Sequence, residues 1–301
     1  MRLSTNIRPL HNAFGFEKAI DIIAQSGFDA MDFSATIEEF YTDAHDNDYY
    51  IEMKKYANDK GLVFNQAHAP YATSFKDEEK TKERFNDIVT AMKNASLLGV
   101  ENIIVHPCQH LIYCDEGNPE KLFEYNMEYY KKLVPYCEEY NIKVALENMY
   151  QYPGMISHST CSQTDEFIRY IDELDNDCFV ACLDTGHSLL VREQVDDAIR
   201  ALGGKRLKCL HVQDADGIYD LHTMPYLGII DWDKVMKALA QIDYTGDFTY
   251  EVTPLASTSE SCGYKRKLPI ELFPDFYRLM GSTGKFLINK FNEYKKEFAN
   301  K

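Results

Sequence analysis

The sequence predicts an α/β fold: a single (β/α)8 barrel of eight parallel strands, each followed by a helix. Three observations lead there. Eight short apolar or β-branched runs recur along the 301 residues, each preceded by a helix stop or a turn residue. The segments between them carry helical periodicity. Six of the runs finish on His, Asp or Glu, at the strand ends where such a barrel gathers its functional groups. An open doubly wound sheet would normally show a glycine-rich phosphate turn after its first strand, and residues 6–15 (NIRPLHNAFG) contain none. No internal repeat or linker divides the chain, so one domain is expected over 1–301.

The elements follow in order. The first strand is 2–7. Phe16, Ala19, Ile20 and Ile23 then share a helix face, and Gly27 stops that helix before strand 28–34. Gly61 and Gly99 play the same part before strands 62–68 and 102–106. Between them, Phe85, Ile88, Val89 and Met92 are spaced i, i+3, i+4, i+7. Leu122, Tyr125, Tyr129 and Leu133 form the next stripe, ahead of strand 142–147. Strands 179–184, 207–211 and 248–252 complete the barrel, and a helical region covers 270–297. Cys182 and Cys209 sit inside apolar runs and read as core. The one tryptophan, Trp232, reads as packing at the start of a helix.

Composition narrows the class. With 45% apolar, 27% charged and 13% aromatic residues, and a mean hydropathy of −0.40, the chain is neither disordered nor fibrous. No run approaches the ~20 consecutive apolar residues that span a bilayer. Thirty-two basic against 48 acidic residues give a net charge of −16, which disfavours a nucleic-acid partner. The N-terminal residues lack a signal-peptide core, so a cytoplasmic location is expected. Eight cysteines without a C-x-x-C pair read as reduced thiols.

The chemistry lies at the strand ends. His68, His106, Glu147, Asp184, His211 and Glu251 finish strands three to eight. Any one of them alone is ordinary structure. A barrel brings all six around one axis, where the carboxylates repel unless protonated or bridged by a cation. A divalent metal resolves this, and mixed imidazole and carboxylate donors suit Zn, Mn, Co or Fe better than Ca. His187, three residues after Asp184, and the D-x-H pair Asp220 and His222 extend the set onto loops. A helix start and a polar surface loop are their structural alternatives.

These pieces resemble the xylose-isomerase-like TIM barrels, the group of sugar phosphate isomerases and epimerases that also contains the type IV apurinic endonucleases. The matching segments, in order, are His68-Ala69-Pro70-Tyr71, Val105-His106-Pro107, Leu146-Glu147-Asn148, Leu183-Asp184-Thr185-Gly186-His187, His211-Val212-Gln213-Asp214, Asp220-Leu221-His222, Gly228-Ile229-Ile230-Asp231-Trp232 and Tyr250-Glu251-Val252. For the ketose epimerases, the resemblance implies one metal on Glu147, Asp184, His211 and Glu251, the two glutamates as acid–base pair, and His187 against substrate. For the endonucleases it implies three zinc ions, with His68, His106, His187, Asp220 and His222 as further ligands. All nine positions carry ligand types. The charge, and the absence of dense Arg/Lys or wedge-like aromatic loops, favour the sugar branch. The run Lys265-Arg266-Lys267 reads as a solvated patch. Gln213 and Asp214 stand where some ketose epimerases supply an Arg for substrate, a departure from the tagatose-type pattern.

The expected activity is a metal-dependent isomerase or epimerase acting on a small sugar or sugar phosphate. Glu147 and Glu251 would move the proton α to the carbonyl through an enediolate that the metal stabilises. A multi-zinc phosphodiester hydrolase, a dehydratase or lyase, and a non-catalytic metal-binding protein are the alternatives. His68 and His106 would serve as ligands, substrate donors or outer supports. Phe14, Phe33 and Tyr71 would wall the sugar carbons or pack the core. The stretch 253–261 could hold a phosphate, so phosphorylated and free sugars both stay open. A homo-oligomer is open too, with 21 Tyr and 17 Phe to build an interface.

Overall fold

A computed structural model of the chain describes residues 1–150, 158–253 and 268–300. The strands are β1 (Leu3–Asn6), β2 (Ala30–Phe33), β3 (Val63–His68), β4 (Asn102–Ile104), β5 (Lys143–Glu147), β6 (Phe179–Asp184), β7 (Leu207–His211) and β8 (Phe248–Tyr250). They pair in parallel in the order β7-β6-β5-β4-β3-β2-β1-β8. Val212 closes the ring by bridging to Tyr250: its N–H donates to Thr249 O at 2.8 Å, and Glu251 N–H donates to Val212 O at 3.0 Å. The eight expected strands are all present, several of them shorter. β4 stops at Ile104 rather than His106, because Pro107 has no N–H to extend the ladder.

The helices are α1 (Arg8–Phe14), α2 (Phe16–Gln25), α3 (Asn47–Asp59), α4 (Glu78–Leu98), α5 (Asn118–Lys131), α6 (Val134–Tyr140), α7 (Thr164–Leu174), α8 (Thr185–Leu190), α9 (Val195–Arg206), α10 (Trp232–Gln241) and α11 (Phe273–Ala299). The expected glycine stops hold. Gly99 adopts φ 85° and its N–H donates to Ala95 O and Ser96 O, a left-handed cap that a Cβ would strain. Helix α11 crosses the start of the chain, burying Phe276, Tyr277, Met280, Leu287 and Phe291. A Cβ on Gly281 would overlap Ser26 O, and one on Gly284 would overlap the Leu3 side chain, so both positions permit this close approach. No helix among the described residues is long and apolar enough to cross a membrane.

The core has two parts. The larger lies between barrel and helices and includes Leu3, Met31, Phe33, Val144, Leu146, Leu183 and Leu210. The smaller, Ile104, Ala145, Val180, Cys182 and Cys209, comes from four consecutive strands and fills the lumen. The other side of the lumen is polar. Ser4 Oγ donates to Asn65 Oδ1 at 2.8 Å, Asn65 Nδ2 to Thr249 Oγ1 at 3.0 Å, and Gln66 Nε2 to Asp32 Oδ2 at 2.9 Å. Side chains alternate along a strand, so the residue two places beyond each lumen residue faces the same axis. Ile104 leads to His106, Ala145 to Glu147, Cys182 to Asp184, Cys209 to His211 and Thr249 to Glu251. This alternation positions the site.

Candidate active site

The six strand-end side chains meet at the C-terminal mouth of the barrel. Glu147 stands in the middle. Its Oε2 is 3.1 Å from His106 Nε2 and 3.7 Å from His68 Nε2. Its Oε1 is 3.2 Å from His211 Nδ1 and 3.4 Å from His187 Nδ1. Glu251 Oε2 approaches the same His211 Nδ1 at 3.4 Å. Donor atoms of Glu147, Asp184, His211 and Glu251 all lie within 4.8 Å of one another, as do those of His68, Glu147 and His211. His187, Asp220 and His222 form a third such group. All nine residues singled out in the sequence are therefore brought together.

The histidines are held from behind. His68 Nδ1 lies 2.7 Å from Ala69 O, His187 Nδ1 2.8 Å from Asn148 O, and His222 Nδ1 2.9 Å from Glu251 O. A backbone carbonyl only accepts, so each Nδ1 carries the proton and each Nε2 is left to face the carboxylates. This is how ligating imidazoles are oriented. His211 is turned the other way. Its Nε2 lies 3.9 Å from Asp32 Oδ2, and its Nδ1 is buried without a hydrogen bond between Glu147 and Glu251. An unsatisfied imidazole nitrogen facing two carboxylates fits a cation ligand. The donor set fits a divalent metal on Glu147, Asp184, His211 and Glu251.

A buried carboxylate builds the loop after β7. Asp214 accepts from Ala215 N at 3.0 Å, Tyr226 N at 3.1 Å, Ile230 N at 3.1 Å and Trp232 Nε1 at 2.8 Å. That loop delivers Asp220 and His222, whose Oδ2 and Nε2 are 2.8 Å apart. Gln213 ties it to β6: its Nε2 donates to Asp220 Oδ1 at 2.7 Å and lies 3.3 Å from both oxygens of Asp184. Trp232 packs at the start of α10 as its sequence position implied.

Crowding sets the charge states. Burial works to raise Glu147, but His211 and His106 outweigh it and hold its carboxyl well below the usual range. Burial likewise opposes protonation of His211, which Glu251 and Glu147 overcome, raising it well above an ordinary imidazole. Burial would raise Glu251, yet His211 and His222 bring it down. Asp184 is the exception. Burial pushes it up to about 7, and Glu251, Glu147 and Asp220 add to the rise against His187. So much negative charge in one buried place is what a divalent cation relieves.

A cavity of about 380 Å³ reaches this cluster from the β1–β2 side. His68, His211, His222 and Glu251 form one wall, and Asn6, Asp32, Ser34 and Thr36 another. Sequence reasoning missed this second wall. Asp32, a charge inside the apolar run AMDF, was the signal that marked it. Tyr71 lines the cavity, as one of its two readings held. Phe33 does not: it is an odd-phase residue of β2 and points outward into the main core. Phe14 packs against Phe273, ring centroids 6.2 Å apart, and it is Phe273 that lines the cavity. Residues 254–261 of the suggested phosphate stretch and the run Lys265-Arg266-Lys267 lie outside the described residues.

Comparison with known proteins agrees with this architecture. The family model described as xylose isomerase-like TIM barrel matches residues 20–268. A D-psicose 3-epimerase of Enterocloster bolteae is 25% identical over 269 residues, covering 86% of this chain and 83% of that protein. A probable endonuclease 4 of Acholeplasma laidlawii is 23% identical over 249 residues, covering 74% and 81%. The crystal structure of a D-psicose 3-epimerase determined in the presence of D-fructose superposes with a TM-score of 0.77 at 16% identity, over 95% of this chain and 99% of that one. The chain thus belongs to the xylose isomerase-like TIM barrel family.

Proposed function

We propose that the protein is a metal-dependent sugar epimerase or isomerase that moves a proton on the carbon beside a carbonyl. One observation carries this reading: a four-donor set, Glu147, Asp184, His211 and Glu251, borders a cavity of small-molecule size through His211 and Glu251. The epimerase relatives support it. Glu147, Asp184, His211 and Glu251 would hold a divalent cation, which would supply Lewis-acid polarisation of the substrate carbonyl. Glu251 is on the cavity wall and only partly buried, so it reaches the α proton of a seated sugar. Glu147 lies across His211, with His106 Nε2 at 3.1 Å as a proton donor against its Oε2. One glutamate removes the proton and the other returns it. Return to the opposite face of the same carbon epimerises, and return to the neighbouring carbon isomerises.

The three donor groups favour a second reading, a multi-zinc phosphodiester hydrolase. Metal content separates the two. Protein purified without chelator or metal-binding tag, assayed by inductively coupled plasma mass spectrometry and against ketoses, is expected to hold about one Mn, Co, Fe or Zn per chain and to turn over a ketose. Nearly three zinc per chain, with nicking of abasic DNA and no ketose turnover, would overturn the first reading.

A further inference from the structure

The two walls of the cavity differ in chemistry. One carries the metal-ligand types. The other, from the ends of β1 and β2, carries the oxygen groups of Asn6, Asp32, Ser34 and Thr36, with the exposed Arg8 guanidinium beside them donating to Tyr71 Oη at 2.9 Å. Eleven enclosed side-chain polar atoms among the described residues have no hydrogen-bond partner, and five of them belong to the fifteen residues lining this cavity. Three of those five lie on the β1–β2 wall: Asn6 Oδ1, Asp32 Oδ1 and Thr36 Oγ1. Asp32 is 2% exposed, and its other oxygen is fixed by Gln66 Nε2 at 2.9 Å. One step deeper in the lumen, Ser4, Asn65 and Thr249 satisfy one another. The shortage begins where the cavity begins.

Enclosed polar atoms are normally paired, because leaving one unpaired forfeits its hydration without return. An amide carbonyl and a carboxylate oxygen are both acceptors. What they lack is a donor, and a second anion against Asp32 would be repelled. Hydroxyl groups meet the requirement. We propose that Asn6 and Asp32 are specificity residues that accept hydrogen bonds from hydroxyls on the substrate carbons beyond the reacting centre. This rests on the sugar reading above and deepens it. The substrate presents neutral hydroxyls to Asn6 and Asp32. Asp32 also stands 3.9 Å from His211 Nε2, so Asn6 gives the cleaner test.

The experiment compares a ketohexose that the enzyme epimerises with its 4-, 5- and 6-deoxy analogues, in the wild type, Asn6→Ala and Asn6→Ser. A site built around a hydroxyl discriminates strongly against the analogue lacking it. The wild type should lose about 10-fold to 100-fold in kcat/KM on at least one deoxy analogue. Asn6→Ala should weaken activity on the parent sugar yet discriminate less than about 3-fold at that position. Asn6→Ser, which keeps a shorter hydrogen-bonding group, should fall between them. Asp32→Asn should relax discrimination at a different position, with metal content unchanged. Equal discrimination in wild type and Asn6→Ala, or none in the wild type, would overturn the assignment while leaving epimerisation intact. No epimerisation of any ketose would instead defeat the sugar reading.

Discussion

Replacing Asp214 by alanine should cost far more than a typical surface substitution. Its two carboxylate oxygens collect four donors, from Ala215, Tyr226, Ile230 and Trp232, and the side chain is fully buried. Hydrogen bonds to a charged acceptor contribute about 1.5–3 kcal/mol each. Not all of that is lost. Tyr226 and Ile230 sit on a loop where water can replace the carboxylate. Trp232 is 1% exposed, and its indole N–H at 2.8 Å has no route to solvent. One stranded donor plus the weakened loop bonds gives about 3–5 kcal/mol. Asp214→Asn, which keeps one acceptor oxygen, should cost about 2 kcal/mol. Urea unfolding followed by circular dichroism and by Trp232 fluorescence measures both. Because the loop carries Asp220 and His222, the alanine variant should also bind less metal where the third donor group is in use. A loss below about 1 kcal/mol for Asp214→Ala would refute the claim that this carboxylate organises the loop.

Other outcomes follow from the same structure. Glu147→Gln and Glu251→Gln should each lower turnover by about 10²-fold to 10⁴-fold with an unchanged circular dichroism spectrum, and near-normal rates in both would remove them from the acid–base role. Gly281→Ala should destabilise by about 1–3 kcal/mol, because the new methyl would overlap Ser26 O beneath α11; a neutral effect in thermal melts would mean that α11 does not dock there. The Glu166 carboxyl is raised by burial, against hydrogen bonds from Tyr113 and Cys161 N–H. A folded-state value above the unfolded one means that stability is fully present at low pH and is lost as pH rises through the folded value. The stability of Glu166→Gln relative to wild type should therefore rise from pH 4 to pH 7, and a flat or falling difference would contradict the burial argument.

Much of the barrel was legible because its signals are local. Apolar runs, helix stripes and Gly27, Gly61 and Gly99 each speak for their own segment. The site was legible for a related reason. Residues such as Glu147 and Asp184 end strands, and topology carries every strand end to one mouth. The β1–β2 wall was harder to see. Asn6 and Thr36 are neutral polar residues whose importance is an unmade hydrogen bond, which no spacing encodes. Phe33 had two readings, cavity wall or core, because only its phase on β2, set against Asp32, decides which it faces. Asp214 belonged to a quoted motif, yet its four donors come from positions 215 to 232 and meet only after folding.

The most direct test of the central claim is solvent exchange. The metal-loaded protein is incubated with a panel of ketoses in D₂O, and deuterium is followed by NMR at the carbons beside the carbonyl. Proton abstraction by Glu147 and Glu251 predicts deuterium entering one such carbon as the epimer or isomer forms, with loss of the signal after chelation and in either Gln variant. No deuterium in any ketose from fully loaded protein, alongside cleavage of an abasic phosphodiester, would contradict it.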